Sequence, residues 1–141
     1  MLRMPFIAKI DRVNFTSLKE CYFPAKMEHS EYPFVSGWLQ DSKGVFWFAT
    51  LQGLYSFDEK KQQWKHYTHN PNDEYSVPPN FLFSICADPK QPDKYLWIGS
   101  NGAGVSRFEI ATGKCIHFTE RNGLPNNVVY GILPDTMGNI W

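Results

Sequence analysis

An all-β fold of repeated four-stranded antiparallel sheets is predicted by three features of the sequence. The first is an internal repeat: residues 46–53 and 96–104 both pass from an apolar run with a central Trp into a Gly-containing turn. The second is spacing, since Asp41, Asp88 and Asp135 are each 47 residues apart. The third is an aromatic content of 16%, which suits strands more than helices. Four short strands in each repeat of about 40–50 residues are typical of a β-propeller.

The first predicted blade covers residues 34–80. Its second strand is apolar at consecutive positions, which predicts a strand covered on both faces. Residues 41–44 read Asp-Ser-Lys-Gly, a sequence that favours a type I turn because Asp comes first and Gly last. A loop rich in Asn, Asp and Pro, residues 68–80, follows the fourth strand. The predicted strands are 34–40, 45–50, 54–57 and 63–67.

The second predicted blade covers residues 81–127 and repeats the same order. Gly102 and Gly104 allow the chain to reverse between its second and third strands. A third blade begins within residues 128–141, with a first strand at 128–133 and a turn at 135–138. Residues 1–33 are interpreted as a lead-in, the end of a preceding blade. The predicted strands of the second blade are 81–87, 95–100, 105–108 and 114–118.

The number of repeats predicts an incomplete propeller of about two and a half blades. Closed propellers usually have about 4–8 blades, so two repeats and the start of a third cannot close a ring. We therefore expect the chain to be a segment of a longer protein, with the remaining blades as its partner.

Composition excludes several classes of function. Fourteen basic residues balance fourteen acidic ones, which gives no electrostatic argument for binding nucleic acid. The three Cys residues are far apart and form no metal-ligand spacing, so neither a disulfide framework nor a metal site is predicted, and no cofactor is expected. Residues 1–10 are interrupted by charged residues and Pro, unlike a signal peptide. The chain is therefore cytoplasmic, or its targeting segment lies outside this sequence.

The repeat resembles a known family at specific residues. Residues 95–100 read Tyr-Leu-Trp-Ile-Gly-Ser, residues 104–108 read Gly-Val-Ser-Arg-Phe, and residues 112–113 are Thr-Gly. Residues 122–127 read Asn-Gly-Leu-Pro-Asn-Asn, and residues 135–141 begin the pattern again. This order resembles the two-component regulator propeller repeat. The first repeat matches it through residues 48–50 and 53–54.

The resemblance implies the sensor region of a hybrid two-component histidine kinase of the Bacteroidetes type. Such a region lies on the periplasmic side of the membrane, often senses oligosaccharides, and precedes an immunoglobulin-like domain, a membrane helix and a kinase. The implied function is non-catalytic ligand sensing within a full-length sensor, with a homodimer of that sensor as a further partner. The sequence contains no phosphoacceptor His motif and no ATP-binding motif of its own.

A ligand site is predicted where loops meet. Antiparallel order brings the loops after the second and fourth strands of each blade to the same edge. Amide side chains in these loops offer donors and acceptors that suit sugar hydroxyls, and two aromatic residues on first strands offer stacking faces. The alternative is that the amides serve turns and the aromatic rings pack in the core. The candidate residues are Gln52, Asn80, Asn101, Asn126, Asn127, Trp38 and Tyr130.

Catalysis has weaker support in the sequence. His66 and His117 occupy equivalent repeat positions, and a structural role is favoured for both. The repeated Asp residues open turns, where Asp bonds its own backbone. No catalytic residue is predicted, but two other hypotheses stay open: a propeller enzyme of the lyase or glycosidase type, and a passive protein-binding scaffold, because a fold alone does not define function.

Overall fold

The computed structural model describes residues 34–79 and 81–141, together with the backbone of two short strands nearer the N-terminus. The chain forms two compact units, Met1–Tyr32 and Pro33–Trp141. In the first unit, β1 (Ile7–Ile10) pairs with β2 (Ser17–Cys21) in antiparallel orientation. Apart from these two strands, the predicted lead-in lies outside the described residues.

The second unit contains two four-stranded antiparallel sheets, with the strands of each in sequence order. The first sheet consists of β3 (Val35–Gln40), β4 (Val45–Thr50), β5 (Gly53–Asp58) and β6 (Gln63–Tyr67). The second sheet consists of β7 (Leu82–Ala87), β8 (Tyr95–Ser100), β9 (Val105–Glu109) and β10 (Lys114–Phe118). The prediction of an all-β chain with two such sheets is confirmed, and every strand end lies within one residue of its predicted position.

Burial along the central strands explains their unbroken apolar sequence. Residues 46–50 of β4 are all buried, although their side chains alternate between the two faces of the sheet. Strand β6 instead lies at a sheet edge and is mostly exposed. The central strands are therefore covered on both faces, as the consecutive apolar residues predicted.

The two sheets pack together through aromatic and aliphatic side chains. The fully buried ring of Phe108 on β9 meets the rings of Trp47 and Tyr67, at centroid distances of 5.5 and 5.1 Å. The Ser36 hydroxyl is in hydrogen-bond contact with the carbonyls of Ala49 and Leu82, and so links β3 to the other sheet. Val77, in the loop between the sheets, is buried in the same core. The loop between the repeats is thus part of the packed structure.

Two equivalent glycines permit the tight turn before the third strand. Gly53 has φ of +114°, and a Cβ there would lie 2.5 Å from the Tyr67 carbonyl oxygen. Gly104 has φ of +73°, and its Cβ would overlap the carbonyl oxygen of Phe118. Any other L residue would be strained at both positions, which explains why the repeat places Gly there.

Residues 128–141 are ordered differently from the two sheets. Within this described range the structure has two isolated bridges, Asn101 with Val128 and Pro134 with Ile140, and no regular strand. The predicted first strand at 128–133 is therefore present only as an isolated bridge at Val128. Its Val129 carbonyl nevertheless lies only 2.7 Å from where a Cβ of Gly99 would be, so glycine at that position permits the close approach.

Helix is nearly absent from the described residues, where one short 3-10 turn covers Glu120–Asn122. No helix in this part of the chain has the length and apolar character needed to cross a membrane.

Two thiols among the described residues, Cys86 and Cys115, are free, and burial raises the pKa of Cys115 to about 12. That thiol is therefore a packed side chain rather than a nucleophile.

Candidate functional site

The repeated Asp residues bind the repeated Trp residues. Each carboxylate accepts two backbone N–H groups of its own turn through one oxygen. Its other oxygen accepts an indole N–H. These indole bonds join Trp47 to Asp41 at 2.9 Å, Trp97 to Asp88 at 2.8 Å, and Trp141 to Asp135 at 3.0 Å. The turn role was predicted, whereas the indole bond was not, although the recurrence of one such Asp and one such Trp in each repeat was its signal.

Two of these carboxyl groups have lowered pKa values. Burial of Asp88 favours its neutral form, but the backbone N–H of Gln91 and the indole of Trp97 favour the carboxylate and hold its pKa below the ordinary value. The side-chain amide and backbone N–H of Asn139 lower the pKa of Asp135 to about 2. Because each Asp closes its own turn, the three serve as structural acceptors and not as a shared carboxylate cluster.

The candidate site lies at one edge of the two sheets, which we call the rim. It comprises the turns after β4 and β8 and the segments after β6 and β10. Two backbone bonds join these parts: the N–H groups of Gly102 and Gly104 donate to the Asn127 carbonyl, at 3.0 and 2.7 Å. The structure therefore brings the turn after β8 against the segment after β10, as antiparallel order requires.

Two of the predicted amides sit in equivalent turns of the rim. Gln52 is exposed, and its backbone carbonyl contacts Nε2 of His66 at 2.9 Å. Asn101 is half-buried and uses its backbone N–H to bond the Phe81 carbonyl at 2.9 Å. Neither side-chain amide has a hydrogen bond within the described residues, so both remain free to bind a ligand.

Two of the predicted amides lie in the segment after β10 and form hydrogen bonds with the backbone of that segment. Asn126 accepts the N–H of Val128 through Oδ1 at 2.7 Å. Asn127 accepts the N–H of Glu120 at 2.8 Å, and its own N–H donates to the Glu120 carboxylate at 3.2 Å. Their side-chain oxygens therefore shape the loop, which is the alternative reading of these residues. The fifth amide, Asn80, lies outside the described residues.

The two predicted stacking residues have different surroundings. Trp38, on β3, is 53% exposed and tilts over Phe46 at a centroid distance of 6.2 Å. Tyr130 is 77% exposed and stacks on Phe83 at 5.1 Å. Phe83 occupies the extra residue of a bulge in β7, which directs its ring towards the segment after β10. The structure therefore keeps both predicted rings accessible but does not bring them together.

Sequence reasoning missed two exposed aromatic residues at the rim. Phe34 and Phe81 precede β3 and β7 and are 66% and 46% exposed. The Phe34 carbonyl accepts the N–H of Leu51, the neighbour of Gln52, and the Phe81 carbonyl accepts that of Asn101. Each repeat thus joins the backbone of an exposed Phe to the turn that carries a candidate amide. Phe34 and Phe81 are 47 residues apart, as Asp41 and Asp88 are, and this spacing indicated that the two rings occupy equivalent positions.

His66 and His117 both contact the third strand of their own sheet. The ring of His66 stacks on Tyr55 at 3.8 Å. Nδ1 of His117 lies 2.8 Å from the hydroxyl of the fully buried Ser106, and burial lowers the pKa of His117 below its ordinary value. The two rings stay in separate sheets, each with a partner on the third strand of its own sheet.

Nowhere in the described ranges do three His, Cys, Asp or Glu side chains form a group suited to a metal ion.

Comparisons with known proteins identify the fold. No protein-family model matches the chain, and no curated protein matches it. Among solved structures, the chain is similar to the extracellular domain of BT3049 from B. thetaiotaomicron, described as a hybrid two-component system, with a TM-score of 0.68 and 24% identity. The match covers 79% of this chain and 16% of that one. The chain therefore shares its fold with a part of that domain, and spans much less than the domain's full length.

Two further solved structures match with lower TM-scores. Both are extracellular domains of BT4673 from B. thetaiotaomicron, described in one case as a hybrid and in the other as a one-component system. The first has a TM-score of 0.43 and 22% identity, and the match covers 79% of this chain and 19% of that one. The second has a TM-score of 0.47 and 16% identity, with 90% and 22% covered.

Proposed function

We propose that this chain is a ligand-sensing segment of a β-propeller in a two-component regulator. The segment has no catalytic activity of its own, and its ligand is an oligosaccharide. The observation that supports this proposal is a recurrence at the rim: the backbone of an exposed Phe bonds a turn that carries an amide side chain without a hydrogen bond among the described residues. Phe34 bonds the turn of Gln52 through the N–H of Leu51, and Phe81 bonds the N–H of Asn101 directly.

The chemistry of these pairs suits a sugar. An aromatic face packs against the C–H face of a sugar ring, and each such contact is worth about 0.5–1.5 kcal/mol if it resembles ring–ring contacts. An amide supplies both donors and an acceptor for the ring hydroxyls. Because the pairs recur along the rim, they favour a chain of sugar units over a single one.

The exposed face of the second sheet supports a further blade as partner. In the first sheet, Phe108 of the neighbouring sheet covers Trp47 and Tyr67. The equivalent rings of the second sheet are Trp97 and Phe118, 5.6 Å apart. They line an open cavity of about 570 Å³. We propose that the next blade fills this cavity with an aromatic side chain from its third strand, as Phe108 does.

A sensory role and a periplasmic location follow from the same proposal. The similar solved domain from B. thetaiotaomicron is described as extracellular and as part of a two-component system, which supports both. Binding at the rim would favour one arrangement of neighbouring domains over another, because a ligand shifts an equilibrium towards the state that it binds more tightly.

The test is calorimetric titration with neutral and acidic oligosaccharides. We expect saturable binding, and a loss of about tenfold in affinity in the Phe34→Ala/Phe81→Ala double variant, since 1.4 kcal/mol corresponds to tenfold. Met137→Ala is the matched control: Met137 is 82% exposed but lies in the turn at the opposite end of the sheets. Absence of binding by every oligosaccharide tested would refute the proposal. Cleavage of a bound sugar would refute the non-catalytic assignment.

A further inference from the structure

A second feature of the rim is a pocket at the outer side of the two sheets. It has a volume of about 330 Å³ and lies between the segment that joins the sheets and the end of β10. Pro71 and Pro79 contribute apolar walls, and His117 lines it from β10. None of the ligand-site residues predicted from sequence lines this pocket. An apolar wall combined with a few polar groups is the usual composition of a small-molecule site.

The joining segment is held rigidly in place by its own hydrogen bonds. The hydroxyl of Ser76 accepts the N–H of Asn70 at 2.9 Å and contacts the Asn70 carbonyl at 3.1 Å. The Cys115 N–H on β10 donates to the Tyr75 carbonyl at 2.7 Å, and Val77 is buried in the core. This wall of the pocket is therefore ordered before a ligand binds. Binding then does not include the entropic cost of ordering the segment, which favours affinity.

Three side chains that line the pocket keep unused hydrogen-bonding atoms. Nδ1 of His69 bonds the Val77 carbonyl at 3.1 Å and so carries the proton, which leaves Nε2 as an acceptor. Asp73 uses Oδ1 for the Tyr75 N–H, and Asn70 uses Oδ1 for the Asn72 N–H. Within the described ranges, Oδ2 of Asp73 and Nδ2 of Asn70 have no partner. The pocket thus offers two acceptors and one donor, the set that hydroxyl groups bind.

The charge of the pocket restricts which sugar fits. Asp73 and Glu74 both line it, and no Lys or Arg does so among the described residues. Burial lowers the pKa of His117, so protonation of that ring does not offset the two carboxylates at neutral pH. A ligand with its own carboxylate or sulfate would be repelled, because like charges at close range disfavour binding.

We propose that this pocket binds an uncharged sugar unit and excludes acidic sugars. This inference rests on the proposed oligosaccharide function and adds to it a subsite and a charge class. In this arrangement the sugar hydroxyls donate to His69 and Asp73 and accept from Asn70, while the proline rings pack against the C–H face of the sugar.

The test compares neutral and acidic oligosaccharides of matched length: malto- and xylo-oligosaccharides against oligogalacturonides. Binding is measured by calorimetry, and the site by amide chemical-shift changes in the same protein. We expect neutral sugars to shift the signals of residues 69–76, and Asn70→Ala to weaken their binding at least tenfold. Asn72→Ala is the control, since Asn72 lies in the same turn and does not line the pocket. Unfolding midpoints of both variants confirm that they fold.

A second pair of changes tests the charge argument separately from folding. Asp73→Asn with Glu74→Gln removes both charges at nearly constant shape. We expect it to raise the ratio of oligogalacturonide affinity to neutral-sugar affinity several-fold, and an unchanged ratio would contradict the charge argument. Neutral sugars that bind but shift only signals near Phe34 and Phe81 would overturn the pocket assignment and leave the proposed function standing. Failure of every oligosaccharide to bind would overturn the proposed function itself.

Discussion

The bond between Asp88 and Trp97 is expected to be one of the strongest single polar contributions to the fold. Asp88 is 9% exposed and accepts three N–H groups: the Trp97 indole at 2.8 Å, and the backbones of Lys90 and Gln91 at 2.9 Å each. In Asp88→Ala, water replaces the carboxylate at the two exposed turn groups, whereas the half-buried indole loses its partner.

The expected loss of unfolding free energy in Asp88→Ala follows from the number and type of the hydrogen bonds that Asp88 accepts. A hydrogen bond to a charged group contributes about 1.5–3 kcal/mol, and an unsatisfied buried donor costs about 1–3 kcal/mol. We therefore expect Asp88→Ala to lower the free energy of unfolding by about 2–4 kcal/mol. Asp58→Ala is the control, because Asp58 also accepts two turn N–H groups and pairs with the exposed Lys61 but has no indole partner among the described residues, and it should destabilise the protein less.

The assay is urea unfolding at pH 7, followed by far-ultraviolet circular dichroism. Trp97→Phe keeps most of the ring and removes the donor, so the double-mutant cycle with Asp88→Ala isolates the bond. We expect a coupling free energy of about 1–2 kcal/mol. Equal unfolding free energies for Asp88→Ala and Asp58→Ala, with a coupling near zero, would refute the reasoning.

Three further predictions concern packing, backbone and pH. Phe108→Ala should lower the free energy of unfolding by about 3–5 kcal/mol because the ring is fully buried, and Phe118→Ala, at a half-buried ring, should cost less; urea unfolding of both variants measures the difference. Gly104→Ala should cost more than about 1 kcal/mol because of its positive φ, whereas Gly131→Ala should be nearly neutral, since a Cβ there meets nothing within 4 Å; thermal unfolding distinguishes the two. Burial lowers the pKa of His117, so its contribution to stability should be complete above about pH 6.5 and decrease as the pH falls below that value. Unfolding free energies at pH 7.5 and 5.5 should therefore differ less in His117→Gln than in the wild type, and an unchanged difference would contradict this assignment.

Much of the fold could be predicted because the strands and turns of each repeat are set by residues close together in the sequence. Each strand has its own apolar or aromatic run, and each turn has its own Asp or Gly, so the boundaries depend on neighbours in sequence. The 47-residue spacing of Asp41 and Asp88 then aligned the two sheets. The segment 128–133 contained the same pattern but not the same structure, because a regular strand also needs a continuous hydrogen-bonding partner.

The candidate site was less predictable because an amide side chain in a rim loop can either bond the backbone of that loop or remain exposed to a ligand. Asn126 and Gln52 look equivalent in sequence, since both are amides in rim loops. Only the tertiary structure shows that Asn126 bonds the backbone of Val128, while the Gln52 side chain has no hydrogen-bond partner among the described residues. Phe34 and Phe81 look like core residues in sequence, and their exposure depends on how the first strands end.

The sequence by itself determined the all-β class, the four-strand repeat and the turns. These are set by backbone geometry and by the alternation of side chains over a few residues. The tertiary structure alone decided which amides are free, which rings are exposed, and that the segment between the sheets forms one wall of a pocket. Those properties depend on contacts between residues far apart in the chain, such as Tyr75 with Cys115, which no local pattern encodes.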